Sequence, residues 1–387
     1  MFEQLKWRKR LVALDVYQAL RPVFLMCKCF GTYNYSHSKI NKLLLRCFTI
    51  LLTLFITLAT TYALEFIDLV EAEWYENLVY FYIEKTQITL TYICFIVTIS
   101  MHAIRQEKIG KELLSIRNID LLLKKQNFKF IYSTLNHLWV SSMLVTTALL
   151  TWFIDFWFYT NSGSFYAKVE LLSCYFPLLV IYSSMAQWYS IIKILGDHFV
   201  HITISALSTP CPDRLSILVK VHGRLCTVSR AINELFGPCL LIWTLFAFVM
   251  MTEYLFIAMK VAFQQTYNYT GVSALIIFVF VRFMNMWVVV STCERTSTEA
   301  DVFTATICNL LVEDKTGRIA QKEMFLLHIS MKNTLTFTAC RCFNVNFKLI
   351  QSMIGASATL LVILIQFDMT QSDLATEDPF NVTLASY

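Results

Sequence analysis

Leu349–Phe367 is an apolar run without a single charged side chain, closed by Asp368. About 20 such residues cross a bilayer as a helix, and backbone groups at that depth must bond to one another. Six more predominantly apolar runs, each with one or two charged residues, cover about 43–64, 78–101, 138–159, 169–195, 238–263 and 271–293. Seven runs predict an all-α, polytopic membrane protein. The chain is 57% hydrophobic and 15% charged, outside the range of a soluble domain, which agrees.

The loops between the runs carry charge asymmetrically. The leader 1–42 and loops 102–133, 196–237 and 294–348 hold eight, seven, four and seven Lys/Arg, 26 of the 32. Basic loops stay in the cytoplasm. The expected topology is therefore an amino terminus inside, seven spans, and a carboxyl terminus outside. The net charge of +5 is explained by this placement, so it does not argue for nucleic-acid binding. No small-residue cleavage site follows the first run, so the first span serves as the targeting signal. The sequons at Asn268 and Asn381 fall outside and are expected glycosylation sites; the one at Asn34 falls inside. The domain reading is a cytoplasmic leader (1–42) with a helix at the membrane surface over Leu11–Phe30, a seven-helix membrane unit (43–369), and an extracellular tail (370–387). Residues 215–236 have helical spacing and extend the fifth span into water. An inside amino terminus excludes an ordinary G-protein-coupled receptor.

At helical spacing Gly355, Thr359, Val362 and Gln366 fall on one stripe of the last span. A stripe that is small at one end and carries an amide at the other suits close helix packing or a narrow, wettable path. Thr359-Leu360, five apolar residues, then Gln366-Phe367 resembles the T-Y-(five apolar)-Q-F signature of insect gustatory receptors, with Leu360 at the tyrosine position. The preceding Phe343–Leu349, F-N-V-N-F-K-L, is similar to the family's lead-in. The inverted seven-span topology also resembles insect chemoreceptors. The resemblance implies a plasma-membrane, ligand-gated, nonselective cation channel for taste, assembled as a homo- or hetero-tetramer with other gustatory receptors. Gln366 and Phe367 would then form the gate, with Thr359 and Val362 along the path. The acids after the last span, Asp368, Asp373, Glu377 and Asp378, would draw cations to its mouth.

The resemblance also implies a small-molecule tastant bound in the outer half of the bundle. Trp152, Asp155, Tyr182, Glu253 and Arg282 are the candidate lining residues, since pockets of this kind are aromatic with a few polar groups. Arg282 lies deepest. It reads equally as a wall of the ligand cavity or as one side of a structural ion pair with Asp155 or Glu253. No catalytic arrangement, glycine-rich phosphate loop or metal-ligand spacing stands out, so no enzyme, cofactor or metal is expected. His198 and His201 share a helix face but lack further ligands for zinc. Cys27-Lys28-Cys29 and Cys340-Arg341-Cys342 read as free thiols, with acylation open to Cys27 or Cys29. The expected partners are tastant, membrane lipid and sister subunits. The alternatives are an odorant-receptor-like subunit needing a co-receptor, and a seven-span receptor signalling through a cytoplasmic partner without a pore.

Overall fold

The computed structural model describes residues 12–13, 15–32, 39–74, 78–126, 128, 132–133, 142–143, 146–147, 149–153, 165–208, 211–263, 269–314 and 334–376. The long helices are α1 (Val16–Cys29), α2 (Lys39–Trp74), α3 (Leu78–Lys125), α4 (Phe165–Ser208), α5 (Pro212–Phe263), α6 (Tyr269–Glu313) and α7 (Phe347–Thr376). Among the described residues, six helices are long and apolar enough to span a membrane: all of these except α1. The expected third span, 138–159, falls largely outside the described residues. Helical turns at 142–143, 146–147 and 149–153 belong to it.

The helices outrun the bilayer. The 48 residues of α3 make about 72 Å of helix, against a hydrocarbon core of about 30 Å. Residues 215–236 continue α5 without a break, as their spacing predicts. The stretches of α3 to α6 beyond the span length pack against one another and prolong the bundle.

The centre is α4. Its apolar window is 89% buried, and it touches α1, α2, α3, α5 and α6. Trp188 packs against Phe236 of α5 at 5.2 Å and edge-on to Phe337 at 5.9 Å. Where α4 crosses α6, Gly196 meets Thr296, whose hydroxyl donates to the Ile192 carbonyl at 3.2 Å. A Cβ on Gly196 would stand 2.8 Å from the Thr296 Oγ1, so the crossing requires glycine.

The apolar face of α1 is turned into the protein, burying Val16, Ala19, Leu20, Val23 and Cys27 against α4 and α3. Its end is a Schellman closure: Gly31 at φ +72°, Thr32 N–H to the Cys27 carbonyl, and Gly31 N–H to the Lys28 carbonyl. The Cys27 thiol donates to the Ser183 carbonyl of α4 at 3.4 Å, which removes it as an acylation site, whereas Cys29 is exposed. Arg117 of α3 pairs with Asp15 just before α1, at 3.2 Å. Strands β1 (Val12–Ala13) and β2 (Tyr132–Ser133) pair the leader with the chain after α3.

Pro238 lies inside α5 and brings no N–H to the carbonyl of Glu234 four residues back. Arg105 of α3 supplies the missing donor, at 2.6 Å to that carbonyl and 2.9 Å to the next one, Leu235. At the same level a hairpin docks on α5. Strands β3 (Thr338–Ala339) and β4 (Phe343–Asn344) are joined by three residues, Cys340 to Cys342; Cys340 and Arg341 are both at positive φ, and the Cys342 N–H closes the turn onto the Ala339 carbonyl. The Asn233 amide holds β3 from both sides, donating to the Thr338 hydroxyl and accepting from its N–H. Arg341 pairs with Glu234 at 2.9 Å. Asn346 then caps α7 through the Leu349 N–H. The foot of α7 is thereby fixed to α5.

The α4–α6 crossing yields a direct expectation. Gly196→Ala forces the Cβ against Thr296 and costs about 1–3 kcal/mol, as overpacking does. Thermal unfolding of the detergent-solubilised protein will show a lower Tm for Gly196→Ala. Adding Thr296→Ala will recover part of the loss, because the clashing oxygen is gone. A Gly196→Ala protein that melts with wild type would refute the close crossing.

Candidate functional site

Two regions contain chemistry that the bundle does not need for packing: the outward face of α7 and a polar cluster between α3, α4, α5 and α6.

Only 17% of the α7 apolar window is buried, and the helix packs mainly on α5 with a smaller contact on α6. Its buried side is Ile350, Met353 and Ser357, with the Ser357 hydroxyl accepting from Thr252 of α5 at 3.0 Å. The predicted stripe lies on the other side: Gly355, Thr359, Val362 and Gln366 are all exposed. Thr359 donates its hydroxyl to the Gly355 carbonyl at 3.1 Å, which leaves its oxygen lone pairs outward. Phe367 is 68% exposed. The comparison with α2 is instructive. The apolar window of α2 is also 17% buried, but its exposed face is Leu43, Leu44, Leu51, Leu54 and Leu58, with Thr53, Thr57 and Thr61 bonded back to their own helix. That is a lipid face. The exposed face of α7 differs in carrying Gly355 and Gln366 among its apolar Ile354, Val362, Ile363 and Phe367.

At its outer end α7 is tied to α5 by Lys260 and Asp368, 2.6 Å apart and mostly shielded. Asp368 is therefore held by a lysine rather than standing free at a mouth to attract cations.

The polar cluster centres on Arg282 of α6, 4% exposed. Its guanidinium donates to the Tyr182 hydroxyl of α4 and lies over the Tyr182 and Phe246 rings, at 5.6 and 5.2 Å from their centroids. The Tyr254 hydroxyl of α5 bears on the same guanidinium and accepts from Gln87 of α3 at 3.1 Å. Tyr254 packs on Phe278 at 5.4 Å. The expected ion pair with Glu253 does not form: the cation is met by hydroxyls and ring faces, and one Glu253 carboxyl oxygen is buried without a hydrogen bond. The physical reason is angular. Neighbouring residues point about 100° apart on a helix, and here Tyr254, not Glu253, is turned to Arg282.

Of the candidate pocket residues, Tyr182 and Arg282 are brought together, and Glu253 is buried nearby on α5. Trp152 is 40% exposed and makes no ring contact with Arg282. Asp155, Asn268 and Asn381 lie outside the described residues. Sequence reasoning missed the roles of Gln87, Phe246 and the Lys260–Asp368 pair. Single opposite charges near the outer ends of two spans were the available signal for the pair.

Elsewhere the polar groups are structural. His198 bonds Asp120 at 2.8 Å and the Ile194 carbonyl at 2.7 Å, with both side chains buried in the bundle. Among the described residues no cluster fit for a metal exists. Burial pushes the Cys340 thiol up, and neighbouring Cys342 adds to this.

No curated protein sequence matches the chain. In structure it is similar to the insect olfactory receptor OR5 from Machilis hrabei in complex with eugenol, with a TM-score of 0.69 at 12% identity, over 91% of this chain and 98% of that one. The structure of the same receptor described without eugenol gives 0.67 at 12% identity, over 90% and 97%. At that identity the likeness carries the fold, a seven-helix membrane architecture in which the undescribed third span has its place. The family model described as 7tm chemosensory receptor matches residues 20–371. The chain is accordingly a multi-pass plasma-membrane chemoreceptor and not an enzyme. With nearly its whole length matched, it belongs to the 7tm chemosensory receptor family.

Proposed function

We propose that this chain is a gustatory receptor, one subunit of a tetrameric, nonselective cation channel opened by a small-molecule tastant. The observation that carries the reading is the exposed face of α7. Gly355, Thr359 and Gln366 stand at bilayer depth on a side of the helix that none of the described residues covers. Polar side chains there are costly against lipid and gain most by facing water or other helices. Four copies of α7 around an axis give both. The Thr359…Gln366-Phe367 signature supports taste over smell, and the basic loops support a cytoplasmic amino terminus with Asn268 and Asn381 outside.

The gate follows from helix geometry. Phe367 and Gln366 sit about 100° apart around α7. With the Phe367 rings inward, the outer end is a dry constriction; a partial rotation replaces them with amides that can meet hydrated ions. A tastant opens the channel only by binding the rotated form better. The link is α5, which carries Tyr254 in the polar cluster, Thr252 against Ser357, and Lys260 against Asp368.

Whole-cell recording tests the pore. Gln366→Ala is expected to change the ratio of sodium to calcium permeability of tastant-evoked current, and Phe367→Ala to raise the standing current several-fold without tastant. Unaltered permeability and rest current in both, with normal surface expression, would rule out α7 as the pore and favour a receptor signalling through a cytoplasmic partner.

The Lys260–Asp368 tie predicts a second result. Asp368→Asn releases the outer end of α7, so standing current rises and less tastant is needed for half-maximal response. The swapped pair, Lys260→Asp with Asp368→Lys, restores wild-type behaviour. Single variants that gate like wild type would show that the ion pair is only an ornament of the surface.

A further inference from the structure

We propose that the Arg282 cluster is a recognition site for ligands bearing a carboxylate on an aromatic body; this rests on reading the chain as a small-molecule receptor. A guanidinium has five N–H donors and keeps its charge under all ordinary conditions. Arg282 is 4% exposed and sits about halfway through the sixth span. Its compensation within the chain is incomplete in two respects. Its Nε–H has no hydrogen-bond partner, and no carboxylate among the described residues pairs with it, although Glu253 is one residue from Tyr254. The acceptors it does have are neutral hydroxyls, and the Tyr254 hydroxyl is shared with Gln87.

A buried, permanently charged group without a counter-ion is costly in a membrane protein. Structural ion pairs remove that cost by placing the acid opposite; among the described residues none is so placed. The open Nε edge of a guanidinium is also the edge that takes a carboxylate through two parallel hydrogen bonds. Asn285, one turn along α6 and equally buried, offers a second unpartnered N–H. The Tyr182, Phe246 and Phe278 rings around the cluster supply apolar faces for the ligand's body. Donors without acceptors, ringed by aromatic faces, favour an aromatic anion over a neutral alcohol. The alcohol offers one oxygen and leaves the charge unmet.

Binding to the purified full-length protein in detergent provides the test, and it needs no ion current. Benzoate, phenylacetate and cinnamate are titrated at neutral pH beside benzyl, phenethyl and cinnamyl alcohols, with Tm as readout. At least one carboxylate is expected to raise Tm saturably, while its alcohol requires at least tenfold more for the same shift. Arg282→Gln should weaken the carboxylate at least tenfold, and Arg282→Lys, which keeps the charge but not the fork, should fall between. Should Arg282→Gln not fold, the wild-type comparison of each acid with its alcohol decides. Alcohols that match the acids, a panel without any carboxylate effect, or an unchanged affinity in folded Arg282→Gln would overturn the proposal. A protein that binds the acids but conducts nothing would keep this site and reject the channel. One that conducts only for neutral tastants would do the reverse.

Discussion

The crossing of α4 with its neighbours sets the positions of the remaining helices. Among the described spans α4 is the most buried and also the least apolar, so its surroundings are protein on every side rather than lipid. Its polar side chains confirm the placement, since Ser183, Ser184, Gln187 and Ser190 are all at most 1% exposed and look into protein. The Ser184 hydroxyl meets His102 of α3, and Ser183 meets Thr32 just beyond α1. Gly196 then lets α6 approach until Thr296 reaches the α4 backbone. With α3, α5 and α6 arranged around α4, Tyr182, Tyr254, Gln87 and Arg282 are delivered to one place from four helices.

The last helix obeys the opposite rule. It shares little surface with the bundle, and its position comes from its ends. The β3–β4 hairpin holds the foot through Asn233 and Glu234, and Lys260 holds the head through Asp368. Between them Thr252 and Ser357 make one buried polar contact. A helix pinned at both ends and loosely packed along its length can turn about its axis without breaking the core. In the proposed channel, such turning is what exchanges Phe367 for Gln366 at the gate.

Much of this was legible in the sequence because it is periodic or one-dimensional. Span lengths, the continuation of α5 through 215–236, and the Gly355–Gln366 stripe are patterns along a single helix. What was not legible depends on which residue another helix presents. One of the two readings of Arg282 was half of an ion pair, because carboxylates are its usual partners, yet the structure meets it with Tyr182 and Tyr254. Asp368 read as a free acid because Lys260 is 108 residues away in the chain. The leader helix read as a surface element because its apolar face has no address in the sequence; the structure turns that face onto α4. The hairpin turn at Cys340-Arg341 lacks the Asn-Gly that would announce it, and its two positive φ values are imposed by docking on α5.

Two features are left incomplete within one chain, and they are incomplete in different ways. The α7 stripe exposes backbone-close, polar surface at membrane depth, which other helices or water can satisfy. Its natural complement is a further copy of the same stripe, because small residues and amides pack and bond across a symmetry axis. The Arg282 guanidinium is deep inside the bundle, where another subunit's helix has no room to enter. Its complement has to be small and has to bring acceptors. The first deficit argues for assembly and the second for a ligand, and α5 touches both. In the proposed receptor, a ligand bound at Arg282 competes for the guanidinium with Tyr254 of α5, the helix that also holds Ser357 and Asp368, so recognition and the turning of α7 share one element.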